Sequence, residues 1–567
     1  MERVVELPRE ESLELIVLDD DLRSREQQLE AKPEADPDVE NLVELSREES
    51  FELRILEEQI FDEFDEVAAQ ADEEDNAAPA AAKAHELAEI DLAPSNGAGP
   101  APAIDVTATS EHFMSEALKR LQKGGSHQYH SADGIIDSVE SGAIAALRGS
   151  FLTKCARRGG RVERRQDMPA AAFWSAAELR RAIIAAGSKW GKLCVALSYR
   201  WLSVDHPDPD SFHLQKISFV MTLYLKHLQS IFAGQKPPTK RPRIDCCVFW
   251  DFPSLFQSPR SDVEEKLFRA GLQASNLWYG NSLTVVWIHS SLPHGFQFAT
   301  GLAQTYHASG WCYVEAAMSA TIKQGRTRID LGLVGSSPGQ PMPRSYEEDI
   351  DQWGKCVCEL GCRSRPPPLL PVDVSRALEM EKVFTNQTDS VMVSQMYASF
   401  FDTVASSVET LNFGQLAWGP QEIEQLAKAL PRFTNLEVLD LEWNYVCGLV
   451  LQVHGALVER VEVRGGASVK GFVALCNHLT SNNTITSLNL GWTILNEEAV
   501  RSLEAMLKVN TTLRLINLAN ASLGPSLSEN DNMNNRVGAI QLRDLALTFD
   551  CSHFPSSRTI QIGYQSH

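Results

Sequence analysis

Five copies of an apolar triplet with the spacing LxxLxL constrain this chain more than any other feature it has. They run Val408/Leu411/Phe413, Leu436/Leu439/Leu441, Val458/Val461/Val463, Ile485/Leu488/Leu490 and Leu513/Ile516/Leu518, with middle residues 28, 22, 27 and 28 positions apart. The final alternation is the period of a half-buried strand, and stretches such as EEAVRSLEAMLKVN between copies carry the period of a helix. One strand–helix unit cannot enclose its own apolar face, so residues 405–525 are expected to stack as a short α/β solenoid with a shared core. The residue between the last two apolar positions then points away from that core. Those residues are Asn412, Asp440, Glu462, Asn489 and Asn517, a polar and mildly acidic row, with Trp443 and Trp492 at its edge. Such a mixture suits a protein partner, because aromatic anchors dominate interface energies, and its acidity disfavours nucleic acid. The alternative is that both tryptophans turn inward and close the repeat core.

Upstream, short apolar runs alternate with helical stretches: LCVALSYRW (193–201), a helix over 212–232, CCVFWDF (246–252), a helix over 263–279, LTVVWIH (283–289) and a helix over 311–324. Continuous rather than alternating strands imply a sheet covered on both faces, so residues 166–335 are expected to form a doubly wound, parallel α/β domain. Ligands of such sheets collect at the carboxyl ends of the strands. Ser198, Arg200, Trp201, Asp251 and His289 stand there and are the ligand-edge candidates. His206, Asp208 and Asp210 lie in HPDPD, which is first of all a turn sequence. A helical extension is expected over 111–165 and a Pro-rich bridge with a short helix over 336–404. Cys356, Cys358 and Cys362 cluster as CxCxxxC without a second CxxC or a histidine pair, so no metal site is assigned.

The net charge of −23 belongs to one segment. Residues 1–110 hold 32 acids against 8 bases, leaving 43 acids and 44 bases for all the rest. This describes a disordered acidic tail on nearly neutral domains. The tail repeats itself, since VELPREESLELIVL (5–18) returns as VELSREESFELRIL (43–56). Basic runs, Arg157 to Arg165 and KPPTKRPR (236–243), lack the interleaved aromatics of a nucleic-acid surface. No apolar run reaches the ~20 residues needed to span a bilayer, and the acidic start differs from a signal peptide, so a cytoplasmic address is expected. Residues 526–567 read as a C-terminal tail.

The segments CVALSYRWLSVDHPDPD, CCVFWDFPSLFQ and SGWCYVEAA, extended upstream to RRQDMPAAAF (164–173), resemble a large, uncharacterised protist protein family over about residues 160–325. More distantly they are similar to Toll/interleukin receptor (TIR) domains and to fungal heterokaryon-incompatibility domains. In NAD-cleaving TIR members the glutamate of WCxxE is catalytic, which carries over here to Glu315. The Asp-Phe-Pro-Ser-Leu-Phe-Gln loop is closer to the incompatibility pattern, and many TIR domains only assemble with one another. Without the resemblance, Glu315 reads as an ordinary first-turn acid of a helix capped by Ser309. The repeat period resembles ribonuclease-inhibitor-type leucine-rich repeats; Asn444 fills that family's asparagine position, whereas Leu416, Thr493 and Ala521 depart from it. Together these resemblances imply an intracellular signalling or scaffold protein that binds a protein partner through its repeats and assembles through its TIR-like domain. The alternative they imply is an NAD glycohydrolase using Glu315, with NAD as substrate and no resident cofactor.

Overall fold

CVALSY has no charged residue to keep in water, and as a strand it is buried along its whole length. In the computed structural model it is β2 (Cys194–Tyr199), at the centre of a five-stranded sheet. The strands β1 (Leu147–Arg148), β3 (Cys247–Phe249), β4 (Val285–His289) and β5 (Arg328–Asp330) complete it in the order β1-β3-β2-β4-β5. All neighbours are parallel except β1, which runs antiparallel to β3. The structure describes residues 106–233, 244–299, 301–324, 326–333, 357, 359–362, 364–447, 449–454, 457–463, 468–518, 521–523 and 559–561. Residues 1–105 of the expected acidic tail, its duplication included, the run at 236–243, Cys356 and Cys358 lie outside the described residues, and the last five residues of that expected tail open the first helix. So does nearly all of the C-terminal segment.

Helices cover both faces of this sheet. In chain order they begin with α1 (Val106–Lys123), α2 (Asp133–Glu140), α3 (Gly149–Arg157) and α4 (Ala176–Ala186). Then come α5 (Phe212–Ala233), α6 (Asp262–Gly280), α7 (Gly310–Thr321), α8 (Pro371–Met380) and α9 (Asp389–Ala405). Sequence chemistry fixes several starts: Ser175 with Glu178 and Ser261 with Glu264 form reciprocal capping boxes, and Pro371 sits in the first turn of α8. α5 packs on α3, while α6, α7 and α9 pack on one another.

Two segments read as accessory are part of the framework. The expected extension supplies β1 and lays α2 on α6. The expected bridge supplies α8 and α9, whose Tyr397, Phe400 and Phe401 are buried. A Cβ added to Gly280 would lie 2.3 Å from Phe400, so α9 needs glycine at the end of α6 to approach so closely.

Residues 408–561 build a second five-stranded sheet, this one parallel throughout: β6 (Thr410–Asn412), β7 (Val438–Asp440), β10 (Ser487–Asn489), β11 (Leu515–Asn517) and β12 (Thr559–Gln561), in that spatial order. The helices α10 (Pro420–Ala429), α11 (Lys470–Ser481) and α12 (Glu497–Val509) stack in sequence beside it. The third LxxLxL copy does not join. It forms β9 (Leu457–Val463), paired antiparallel to β8 (Leu449–His454), and β7 pairs directly with β10. Its expected row member Glu462 therefore stands in a hairpin, apart from Asp440 and Asn489. The reason is visible in LVLQVH, which supplies a strand where a parallel neighbour needs a crossover helix. The fifth sheet strand comes instead from 559–561, in the segment read as a tail.

Buried apolar side chains run continuously from the first sheet through α9 to the second. Arg365 sits at this junction, fully buried. It donates from Nε to Ala320 O (3.0 Å), from Nη2 to Lys323 O (2.8 Å) and from Nη1 to Asn412 O (3.1 Å). Its plane covers Phe413, and Trp418 Nε1 donates to its own carbonyl at 2.7 Å. Arg365→Met, which keeps volume but orphans buried carbonyls, is expected to cost about 3 kcal/mol or more. Urea denaturation checks this; an unchanged midpoint would show that the two sheets do not depend on this side chain.

Candidate functional site

The chain leaves β2 first for β3 on one side and later reaches β4 on the other, so strand order reverses at β2, and doubly wound sheets carry their crevice at such a reversal. A cavity of about 320 Å³ opens beside the carboxyl ends of β2 and β3. Arg200 and Trp201 enter it just after β2, Asp251 just after β3, and α7 brings in Trp311 and Glu315. Phe298 and Asp389 complete the parts of the wall used below.

Glu315 lines the cavity from the second turn of α7, not the first turn expected of it, and Ser198 Oγ donates to its Oε2 at 2.6 Å. Tyr306 lies behind, with its hydroxyl 2.6 Å from Ser198 Oγ and 3.2 Å from Cys312 O. When Glu315 is ionised, protons point along this chain from Tyr306 to Ser198 to Glu315. When it is protonated they can all reverse and end on Cys312 O, so both states are satisfied. Burial pushes the Glu315 pKa up to about 8, opposed by the Ser198 hydrogen bond and reinforced by Asp251.

Asp251 is held differently. Tyr199 Oη (2.7 Å) and Phe252 N (2.7 Å) donate to its Oδ1, and Trp201 Nε1 (2.9 Å) donates to Oδ2. Burial raises its pKa, and these three donors oppose the rise. Its acceptors are spent on fixing Tyr199 and Trp201, which makes it a positioning group for the wall. Arg200 donates through Nε to Ala303 O (3.3 Å) and through Nη1 to Trp201 O (3.0 Å), and its plane covers Phe298 at 4.5 Å. Trp311 Nε1 donates to Asp389 at 3.0 Å.

The structure thus gathers Arg200, Trp201, Asp251 and Glu315 around one cavity, with Ser198 just beneath. His289 stays outside the lining, its Nδ1 2.7 Å from Nδ1 of buried His213. His213 Nε2 must donate to the carbonyl of Arg200 (2.9 Å), so its Nδ1 accepts and His289 is the donor between them. Burial lowers both pKa values, that of His213 to about 4, and the neutral pair braces the backbone of Arg200. Asp208 accepts from His213 N (3.0 Å) and Leu214 N (2.8 Å) at the start of α5, and His206 Nδ1 accepts from Asp208 N, so HPDPD serves its turn. Ser309 precedes α7 as its cap but makes no side-chain capping bond. Tyr306 and Asp389 were missed by sequence reasoning, since each reaches the site from an irregular or bridging segment.

A second surface lies on the outer face of the other sheet, where Asn412, Asp440, Asn489 and Asn517 stand in register. Asn517 Nδ2 donates to Asn489 Oδ1 (3.0 Å), and Asn489 Nδ2 donates to Glu442 Oε2 (3.1 Å). Three of these side chains accept from the backbone two residues on: Gly414 N to Asn412 (3.1 Å), Glu442 N to Asp440 (3.0 Å) and Gly491 N to Asn489 (3.0 Å). The following residues turn left-handed, with φ of 62° at Gln415, 56° at Trp443 and 55° at Trp492. The two tryptophans stack at 4.4 Å and 12°, and Trp443 remains 42 % exposed. Beneath them buried Asn444 accepts from Trp418 N (2.9 Å) and donates to Phe413 O (2.8 Å) and Leu441 O (3.0 Å), binding one turn to the next. Among the described residues no helix is long and apolar enough to cross a membrane, and no group of three His, Cys, Asp or Glu is arranged to hold a metal.

No protein-family profile and no curated protein matches this chain.

The Glu315 pKa carries a stability consequence. Below about pH 4.5 the carboxyl is protonated in folded and unfolded chains alike, and nothing is lost. Between 4.5 and about 8 the unfolded chain gives up the proton that the folded chain keeps, so stability falls as pH rises, by at most ~1.4 kcal/mol per unit. Glu315→Gln is expected to melt progressively higher than the wild type as pH climbs from 5 to 8. A pH-independent difference in melting temperature would sink this assignment.

Proposed function

We propose that this chain is a TIR-like and leucine-rich-repeat protein whose first module cleaves the nicotinamide–ribose bond of NAD or a related N-ribosyl nucleotide through Glu315. One observation carries the reading: Glu315, in the second turn of α7, lines an aromatic-walled cavity at the strand ends, with Ser198 donating to its carboxyl. In the reaction the bond between C1′ and the pyridinium nitrogen breaks, its electron pair neutralises the leaving ring, and water adds to C1′ with loss of a proton. A carboxylate that accepts the ribose hydroxyls orients the sugar and stabilises the oxocarbenium character of the transition state. Trp201 and Trp311 offer faces for flat rings, and Arg200 supplies a cation for a phosphate. A cationic nicotinamide favours the ionised form of Glu315, so substrate binding itself helps to expel the proton.

Incubation with NAD at protein concentrations high enough for self-association is expected to release nicotinamide, and Glu315→Gln to lower the rate by about 100-fold or more. Because the free enzyme must ionise a carboxyl of pKa about 8, kcat/KM is expected to fall roughly tenfold per pH unit below that value. Equal turnover by the variant, or no release by the wild type under these conditions, overturns the enzymatic reading.

A second reading is favoured by the exposed indole stack: the repeat-like sheet docks a protein, making the whole a cytoplasmic signalling scaffold that assembles through its TIR-like module. Leaving Trp443 in water costs apolar burial that a partner would recover. Trp443→Ala and Asp440→Lys variants with unchanged melting temperatures are expected to lose partners captured by the wild type. Retention of every partner would exclude this face as the docking surface.

A further inference from the structure

The sheet that carries the Glu315 cavity at one edge has a second cavity at the other. It holds about 430 Å³ and lies at the amino ends of the strands: Gly191 and Lys192 lead into β2, Val285 opens β4, and Thr327 leads into β5. Its charges all have one sign. Lys189, Lys192 and Arg326 line it together with His227, and among the described residues no carboxylate does, whereas Asp251, Glu315 and Asp389 line the first cavity. Neither lysine forms an ion pair among the described residues.

These cations stand on well-held backbone. Lys189 and Lys192 belong to a short 3-10 helix (Gly187–Leu193) anchored by buried Trp190. A Cβ added to Gly191 would lie 2.3 Å from Leu283 O, so the segment is seated directly on the entry to β4. Tyr224 Oη donates to Lys192 O at 2.5 Å and ties it to α5. Arg326 is held from the other sheet, where it donates to the Gln415 side chain. Half-buried His227 has its pKa lowered to about 4, by burial first and by the charge of Lys192 second, so it stays neutral at pH 7 and adds no counter-charge. A cleft of one sign on a fixed frame concentrates field on whatever anion enters it.

We propose that this cavity binds a compact di- or triphosphate, either inorganic or the phosphate tail of a nucleotide. The inference is independent of the chemistry assigned to Glu315. A guanidinium takes two oxygens of one phosphate side-on, while ammonium groups meet the next as point charges, so a chain of phosphates uses all three cations. Leu283 and Val285 add apolar surface for the body of a nucleoside.

Calorimetric titration of the full chain with inorganic pyrophosphate is expected to show one saturable site, with inorganic orthophosphate at least about tenfold weaker. Lys189→Gln, Lys192→Gln and Arg326→Gln are each expected to weaken pyrophosphate binding roughly fivefold or more, and Lys192→Arg, which keeps the charge, to retain it. None of these side chains is buried, so melting temperatures are expected to stay near that of the wild type. Adenosine diphosphate titrated into the same proteins identifies the source: tighter binding than pyrophosphate, lost in the same variants, assigns a nucleotide, and weaker binding assigns an inorganic polyphosphate. Lys240→Gln with Arg241→Gln, in the basic run at 236–243, is expected to change nothing. Pyrophosphate binding that survives all three cavity substitutions, or falls only with the paired change at 240 and 241, overturns the proposal. So does equal affinity for orthophosphate, or no wild-type binding at millimolar pyrophosphate.

Discussion

A guanidinium buried between two sheets organises this molecule. Arg365 takes two carbonyls at the C-terminal end of α7, where the helix dipole is negative, and a third from β6 of the other sheet. Burial lowers its pKa to about 9, which leaves it cationic at neutral pH and able to use all three acceptors. α7 is thereby clamped at one end by Arg365. At the other, a Cβ on Gly310 would lie 2.1 Å from Phe384, so that ring closes directly on the helix start. Glu315 sits between the two clamps, and its position in the cavity depends on contacts made by segments well outside the first sheet.

That dependence explains what could be read from sequence. The strands β2, β3 and β4 and the helices α5, α6 and α7 were legible because unbroken apolar runs and helical periodicity are local signals. Arg200, Trp201 and Asp251 were legible as strand-end residues, whereas Glu315, in the second turn of α7, was reached only through the WCxxE resemblance. The two-residue β1 carries no pattern at all, and α9 sits in a stretch whose prolines suggested a linker. His289 was misread by position alone: it ends a strand at the correct edge, but Phe212 stacks on its ring at 5.2 Å and His213 holds its Nδ1, away from the cavity.

The second surface shows the same limit from another side. Each tryptophan was visible as an aromatic beyond a strand, but their stacking needs β7 and β10 to be neighbours. Had the third copy entered the sheet, its strand would have separated them. The outward row loses Glu462 and gains an uninterrupted join between Asp440 and Asn489.

That join also bears on how the chain folds. In a solenoid each strand normally pairs with the next one along the chain, so order spreads from unit to unit by short loop closures. Here β7 must find β10 across the whole β8–β9 hairpin and α11. Loop-closure entropy grows only slowly with length, so the equilibrium cost of the detour is modest, but the non-local search raises the kinetic barrier at this seam. The β6–β7 side is coupled through Arg365 to the first sheet, and the β10–β12 side hangs on the seam. Under mechanical load, or during synthesis, the join between the two stacked indoles is where the array is expected to part first.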